Sequence, residues 1–339
     1  MSSAVVGRKW DVASVGSFAD DALEQRVSAG VQQVEDLLIT SAHSPEPLVA
    51  EASSHLLQAG GKRFRPLLTV LCAEFGDPTR EDIVPAAVVV ELTHLATLYH
   101  DDVMDEASMR RGAPSANARW NNSVAILVGD FLFARASSLV ADLGPDAVRI
   151  QAETFARLVH GQLRETLGPG PGDDPLEHYL SVVADKTGSL IATAARFGAM
   201  MSGAGEDVES TLLEFGERIG VAFQLADDII DVASDADDSG KVPGTDLREG
   251  VPTLPTLLVQ SNPVAGDERL RDLLSGPIED EDDVQWVIRA LREHPAMDEA
   301  RAYVRAEADA ARALLDKLPA GPARDALDDI CTRSTQRLG

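Results

Sequence analysis

The chain has 339 residues, 44% of them hydrophobic, enough for a sizeable core, and carries a formal net charge of −26. A chain this acidic repels nucleic acid and anionic membrane surfaces, so a nucleic-acid partner is not expected. Its two cysteines, Cys72 and Cys331, stand far apart and in no metal-binding spacing, and read as reduced thiols of a cytoplasmic protein.

Residues 1–19 read as an irregular, flexible segment. Arg8 and Lys9 are not followed by an apolar run, so no signal peptide is expected. From residue 20 the pattern is helical: Leu23, Val27, Val31 and Val34 recur at helical spacing, followed by Leu37 and Leu38. Residues 47–59 form a further helix, closed by Gly60-Gly61, and Pro66 suits the first turn of the next, which runs to Phe75. Residues 82–106 form a long apolar helix ending in acids. Helices follow over 123–142, 147–167, 175–201 and 206–234, the last again ending in acids. Residues 235–252 and 262–283 read as loops, and helices over 283–293, 296–317 and 321–337 close the chain. Alternating β-branched runs and Asn-Gly turns are missing, and aromatics make up only 4% of the chain. The pattern predicts an all-α protein with one domain over 20–339. No uninterrupted apolar stretch reaches the ~18–20 residues that span a bilayer, so stable membrane insertion is not expected.

Two clusters read DDxxD: Asp101-Asp102-Val103-Met104-Asp105 and Asp227-Asp228-Ile229-Ile230-Asp231. On a helix, Asp101 shares a face with Asp105, and Asp227 with Asp231, so each pair repels. The C-terminal end of a helix is also the wrong pole of its dipole for carboxylates. A local rule broken twice in the same way points to a functional site. Mg²⁺ resolves the conflict, because it is held by a few carboxylates together with phosphate oxygens and water. Either motif alone reads equally well as a solvated helix end; the pair, with a basic complement, does not.

That complement begins at Gly60-Gly61-Lys62-Arg63-Phe64-Arg65-Pro66, three cations in four residues of a chain with only 30. Arginine forks suit phosphate oxygens, although a solvated loop is the simpler reading of this segment by itself. Arg110 and Arg111 follow the first acidic cluster, where neutralising its aspartates is their simplest role. Lys186-Thr187-Gly188 interrupts an apolar helix, and Lys241 follows the second cluster. His94 lies two turns before Asp101 on a largely apolar face, where a histidine is ordinarily a hydrogen-bonded core residue.

In this order, GGKRFRP, HDDVMDEASMRRG, KTG, and FQLA leading into DDIID and GKVPGTD resemble the trans-isoprenyl (polyprenyl) diphosphate synthases over residues 20–335. The similarity is to the actinobacterial type that supplies menaquinone side chains. The resemblance implies an isoprenoid-synthase helical bundle around a central active-site cavity, as a homodimer. It implies Mg²⁺-dependent head-to-tail condensation of isopentenyl diphosphate onto an allylic diphosphate. Asp101, Asp102 and Asp105, with Asp227, Asp231 and Asp228, would hold three Mg²⁺. Arg110, Lys186, Thr187, Gln224 and Lys241 would contact the allylic diphosphate. Lys62, Arg63 and Arg65 of the basic loop, with His94 and Arg111, would bind isopentenyl diphosphate. Gln162 would line the metal site, and Phe223 would shield the carbocation. Many members carry a lysine after Asp246-Leu247-Arg248-Glu249-Gly250; here Val251 stands there, with Lys241 retained and Arg248 as a substitute.

A bulky aromatic five residues before the first aspartate stops growth early in the family. Here that residue is Ala96, followed by Thr97, which implies a long product of about C30–C50, with Phe131 and Phe133 as a deeper floor. A C20 product is the alternative. A terpene cyclase would lack GGKRFRP and the second DDxxD, and a non-catalytic subunit of a heteromeric synthase would lose the acidic motifs that this chain keeps.

Overall fold

The computed structural model describes residues 18–233 and 243–336, and it divides into two compact units. The first comprises residues up to Phe155, Thr193–Leu213 and Pro319–Ala326. The second comprises Ala156–Ala192, Glu214–Leu318 and the residues from Leu327 on.

In the first unit, α1 (Asp21–Ser41) starts where Asp20 accepts a hydrogen bond from the Leu23 amide at 2.7 Å. Its buried stripe is Leu23, Val27, Val31, Val34 and Leu38, the face that the sequence period marks. α2 (Pro47–Gln58) begins with proline, and α3 (Phe64–Ala73) is buried along most of its length. α4 (Ile83–Met104) is the core element, with α1, α3 and α6 (Asn122–Asp142) packed against it. Between α4 and α6 lie a hairpin, β1 (Met109–Arg110) and β2 (Ala113–Pro114), and the short α5 (Ala116–Arg119). The turn residues Arg111 and Gly112 both have positive φ, 53° and 74°, the conformation of a tight two-residue hairpin loop.

α7 (Pro145–Leu167) and α10 (Glu206–Ala233) are continuous, as expected. The stretch expected as one helix over 175–201 is α8 (Pro175–Val183), a π-helical turn (Ala184–Gly188) and α9 (Ser189–Ser202). In the second unit, a Cβ on Gly220 would lie 2.9 Å from the Gly188 Cα. Paired glycines thus allow the π turn to sit directly on α10. The second unit's core gathers Leu225, Ile229, Leu254, Leu258, Val287, Leu291 and Val304. They come from α10, α12 (Leu254–Ser261), α14 (Glu281–Glu293) and α15 (Pro295–Leu314). α11 (Thr245–Glu249) and α13 (Glu268–Leu273) fall in segments that read as loops, and α16 (Pro322–Gln336) closes the described chain.

Among the described residues, two helices are long and apolar enough to cross a membrane by length and composition, α4 and α6, although charged residues (Glu91 in α4, Asp130 and Arg135 in α6) interrupt both. α4 is largely buried, as a core helix must be, whereas only 33% of the apolar window of α6 is covered. Ile126 and Leu127 on α6 are 42% and 66% exposed.

Candidate active site

The first acidic motif ends α4, with Asp105 as the C-cap residue. Asp102 is fully buried, and its Oδ1 accepts a hydrogen bond from Arg110 Nε at 2.6 Å. Burial pushes its carboxyl up from the ordinary range, while Arg110 offsets part of that and Asp105 adds to it. Asp102 Oδ2 has no hydrogen-bond partner among the described residues. Asp101 is half-buried and Asp105 exposed.

The hairpin that presents Arg110 also carries Arg111 to the C-terminal end of α2. There Arg111 Nη1 donates to the carbonyls of Leu56, at 3.1 Å, and Gly60. A helix C-terminus favours a cation, which explains the docking. Arg63 is placed differently from expectation. It is 4% exposed, adopts a positive φ of 48°, and its guanidinium is held by Glu35 and, at 3.2 Å, by Glu91. It therefore organises the loop rather than reaching outward. Arg65 is pushed down to about 10, chiefly by burial; Glu91 opposes that and Arg111 adds to it. Its Nε is buried with no partner among the described residues, and it stays charged at neutral pH. His94 is half-buried and held well below the ordinary histidine value, first by burial and then by Arg65, Arg111, Arg63 and Arg110. The first unit thus gathers four arginines and a neutral imidazole, a site of positive potential suited to a polyvalent anion. Lys62 stands exposed beside it in the same loop.

The second unit holds a cavity of about 340 Å³ lined by Tyr179, Lys186, Thr187, Gln224, Asp228 and Asp246 on its polar side and Val182, Val183 and Leu257 on its apolar side. The π turn aims Lys186 and Thr187 into it; π turns are frequent at functional sites. A chain of hydrogen bonds runs from Thr187 Oγ1 to Gln224 Oε1, 3.1 Å, and from Gln224 Nε2 to Asp228 Oδ1, 3.0 Å. It ends where the Tyr179 hydroxyl donates to Asp228 Oδ2. Burial raises Asp228 to about 6 against the pull of these donors. Lys186 pairs with Glu165. Asp227 and Asp231 are half-buried on the same helix end, and Asp231 accepts from the Gly244 amide through its carbonyl at 3.0 Å.

The expected residues therefore fall into two groups, each assembled within one unit. Arg65, His94, Arg110 and Arg111 come together with Asp102; Lys186, Thr187, Gln224 and Asp228 come together around the cavity. Phe223 is half-buried on α10, next to Gln224. Lys241 lies outside the described residues. Arg248, the expected substitute for the missing lysine, is paired with Glu281 through contacts of 2.8–3.1 Å. Val251 is 39% exposed. Ala96 is fully buried, Thr97 bonds its hydroxyl to the His94 carbonyl at 2.8 Å, and Phe133 stacks on Phe155 with centroids 4.2 Å apart. Phe131 lies under the Arg135 guanidinium. Sequence reasoning missed Glu35, Glu91 and Tyr179. Tyr179 carried a signal, as one of only three tyrosines in the chain.

Among the described residues, no three acidic, histidine or cysteine groups converge into a ready-made metal cage. The donors nevertheless fit a hard cation completed by a ligand's oxygens. In the first unit the unpartnered Asp102 Oδ2 is a buried anionic oxygen; in the second, taken by itself, Gln162 Oε1 is buried without a partner among the described residues.

The Polyprenyl synthetase family matches residues 46–291. The chain is 50% identical to a nonaprenyl diphosphate synthase of Mycobacterium tuberculosis, over 95% of this chain and 96% of that protein. It is 38% identical to component 2 of the heptaprenyl diphosphate synthase of Geobacillus stearothermophilus, over 93% and 95%. A crystal structure of geranylgeranyl pyrophosphate synthase from Corynebacterium glutamicum, complexed with calcium and isoprenyl diphosphate, superposes with a TM-score of 0.86 at 47% identity. That match covers 95% of this chain and 99% of that one.

Proposed function

The chain belongs to the polyprenyl synthetase family and is a prenyltransferase, and from that premise we propose how its residues divide the work. It is a long-chain trans-polyprenyl diphosphate synthase that adds isopentenyl diphosphate to an allylic diphosphate, with a product in the C30–C50 range, in keeping with its nonaprenyl relative. The observation that carries the assignment of roles is the pairing of two separate anion-binding groups with two DDxxD motifs. A condensing enzyme of two diphosphates needs two such groups.

Lys186, Thr187 and Gln224 hold the allylic diphosphate, together with Arg110 and Lys241. Lys62, Arg65, His94 and Arg111 hold the isopentenyl diphosphate, and Arg63 keeps their loop in shape. Asp101, Asp102, Asp105, Asp227 and Asp231 are the ligands for Mg²⁺, three ions in all. Calcium in the Corynebacterium glutamicum relative and the unpartnered Asp102 oxygen support a divalent cation here. When bound, the metal stabilises the charge that develops on the leaving diphosphate. The basic side chains do the same through preorganised donors. Phe223 and the apolar wall of the cavity keep water from the allylic cation. The isopentenyl double bond attacks that cation, and the proton lost afterwards goes to the released diphosphate.

The family match crosses the boundaries between the two units, which supports one functional domain over 20–339. We assign the apolar exposed face of α6 to contact with a second copy of this chain, so that the enzyme works as a cytoplasmic homodimer without stable membrane insertion. The free thiols of Cys72 and Cys331 accord with a reducing compartment.

The test is a product assay with Mg²⁺, labelled isopentenyl diphosphate and C5 to C20 allylic primers, with sedimentation to measure the assembly. A ladder reaching C30 or beyond, lost in Asp101→Ala and Asp227→Ala, is expected. A stop at C20 would overturn the product length alone. No turnover by the chain by itself would move the function to a heteromeric synthase, of which the Geobacillus stearothermophilus relative is a component.

A further inference from the structure

We propose that His55 is a positioning residue for isopentenyl diphosphate, acting through the hairpin that presents Arg110 and Arg111. The proposal rests on the assignment of Arg111 to that substrate.

The hairpin has two residues per strand and a non-glycine residue, Arg111, at positive φ. So short a ribbon does not hold its own shape in water, and its left-handed arginine is locally unfavourable. It therefore needs anchors from outside. At its exit, the Pro114 carbonyl lies 2.7 Å from His55 Nε2. One residue later, Ser115 Oγ donates to the Ala107 carbonyl, which pins the entry to the exit.

The imidazole is itself fixed on both nitrogens. Arg119 Nη1 lies 3.1 Å from His55 Nδ1. A guanidinium only donates, so Nδ1 is the acceptor, and the ring proton sits on Nε2, where it donates to Pro114. Arg119 is held in turn by Glu51 and by the Trp120 ring, 4.5 Å from its guanidinium carbon. Trp120 meets His55 edge-on, with ring centroids 5.2 Å apart. His55 is 8% exposed. It sits one residue before Leu56, whose carbonyl receives Arg111. One turn of α2 thus grips the hairpin at its tip, through Leu56, and at its tail, through His55. A role in packing alone would not require the ring to be oriented at both nitrogens.

The experiment measures KM for each substrate separately in the full-length enzyme. KM does not depend on how much of a variant folds. His55→Leu is expected to raise KM for isopentenyl diphosphate about tenfold, the scale of one lost orienting hydrogen bond. KM for the allylic diphosphate, held by Lys186, Thr187 and Gln224 as well as by Arg110 of the same hairpin, should rise less, by about twofold. His55→Gln places an amide donor near the Pro114 carbonyl and should recover most of the loss. An equal rise in both KM values, no rise in either, or a glutamine variant no better than leucine would each overturn the proposal. Arg111→Met separates the two levels. If it leaves KM for isopentenyl diphosphate unchanged, the assignment of that site fails. If it raises KM while His55→Leu does not, only the role of His55 fails.

Discussion

Tyr179 donates its phenolic hydrogen to Oδ2 of Asp228, so the middle aspartate of the second acidic motif is engaged inside the protein rather than presented at the helix end. Its other oxygen receives Gln224. The pair therefore sets the rotamer of a glutamine that lines the cavity.

That burial has a consequence for stability. Asp228 binds its proton more tightly when folded, at about 6, than in the unfolded chain, at about 3.9. The stabilisation is fully present below the unfolded value and is lost as pH rises through the folded one. About two units correspond to about 3 kcal/mol as an upper scale. In EDTA, urea midpoints of the wild type should fall between pH 5 and 7 relative to Asp228→Asn. Parallel curves for the two proteins would show that Asp228 does not titrate in this range.

His94 should report anion binding. Its charged form is disfavoured by burial and by four arginines. A diphosphate placed among those arginines cancels their repulsion and draws a proton onto the ring. Calorimetry of pyrophosphate binding in buffers of different ionisation enthalpy should show proton uptake that grows from pH 7.5 towards pH 6. His94→Asn should abolish it. Binding without uptake would place the anion elsewhere.

Glu91 should trade stability against affinity. It is 2% exposed and pairs with Arg63, while also acting on Arg65 and Arg111. Removing its charge leaves buried cations uncompensated, which costs about 3 kcal/mol. The same change raises the positive potential of the cluster formed by Arg63, Arg65 and Arg111. Glu91→Gln is therefore expected to lower the urea midpoint and to tighten pyrophosphate binding severalfold in the folded fraction. Weaker binding would mean that Glu91 shapes the site rather than its field.

Ala96→Phe should shorten the product. The Ala96 methyl is fully buried, so a phenyl ring there displaces neighbours at a cost of about 1–3 kcal/mol. The variant should fold with a reduced melting temperature and stop at shorter chains in the labelled-product assay. An unchanged ladder from a folded variant would remove position 96 from control of length.

The helices were legible because each buries one stripe at its own period, as Leu23 to Leu38 do in α1. The acidic motifs were legible because they break local rules. The hairpin was not, because its turn is Arg111-Gly112, and an arginine at positive φ is held there by Leu56 and Gly60, distant in sequence. Arg63 misled for the same reason. Its partners Glu35 and Glu91 lie on other helices, and a guanidinium reads alike in sequence whether it faces a substrate or a buried carboxylate. The break at residues 184–188 was hidden by unbroken helical periodicity on both sides.

That π turn has a meaning in angles. Each residue of an α-helix turns the chain by about 100°, so a wider turn acts as a phase shift between α8 and α9. Tyr179 is set by the phase before it and the buried face of α9 by the phase after it, with Lys186 and Thr187 on the step itself. A one-residue deletion there would mend the helix and bring its two halves out of register. Either the tyrosine or the core face would then point the wrong way. The irregular turn is what allows both to face correctly on one continuous rod.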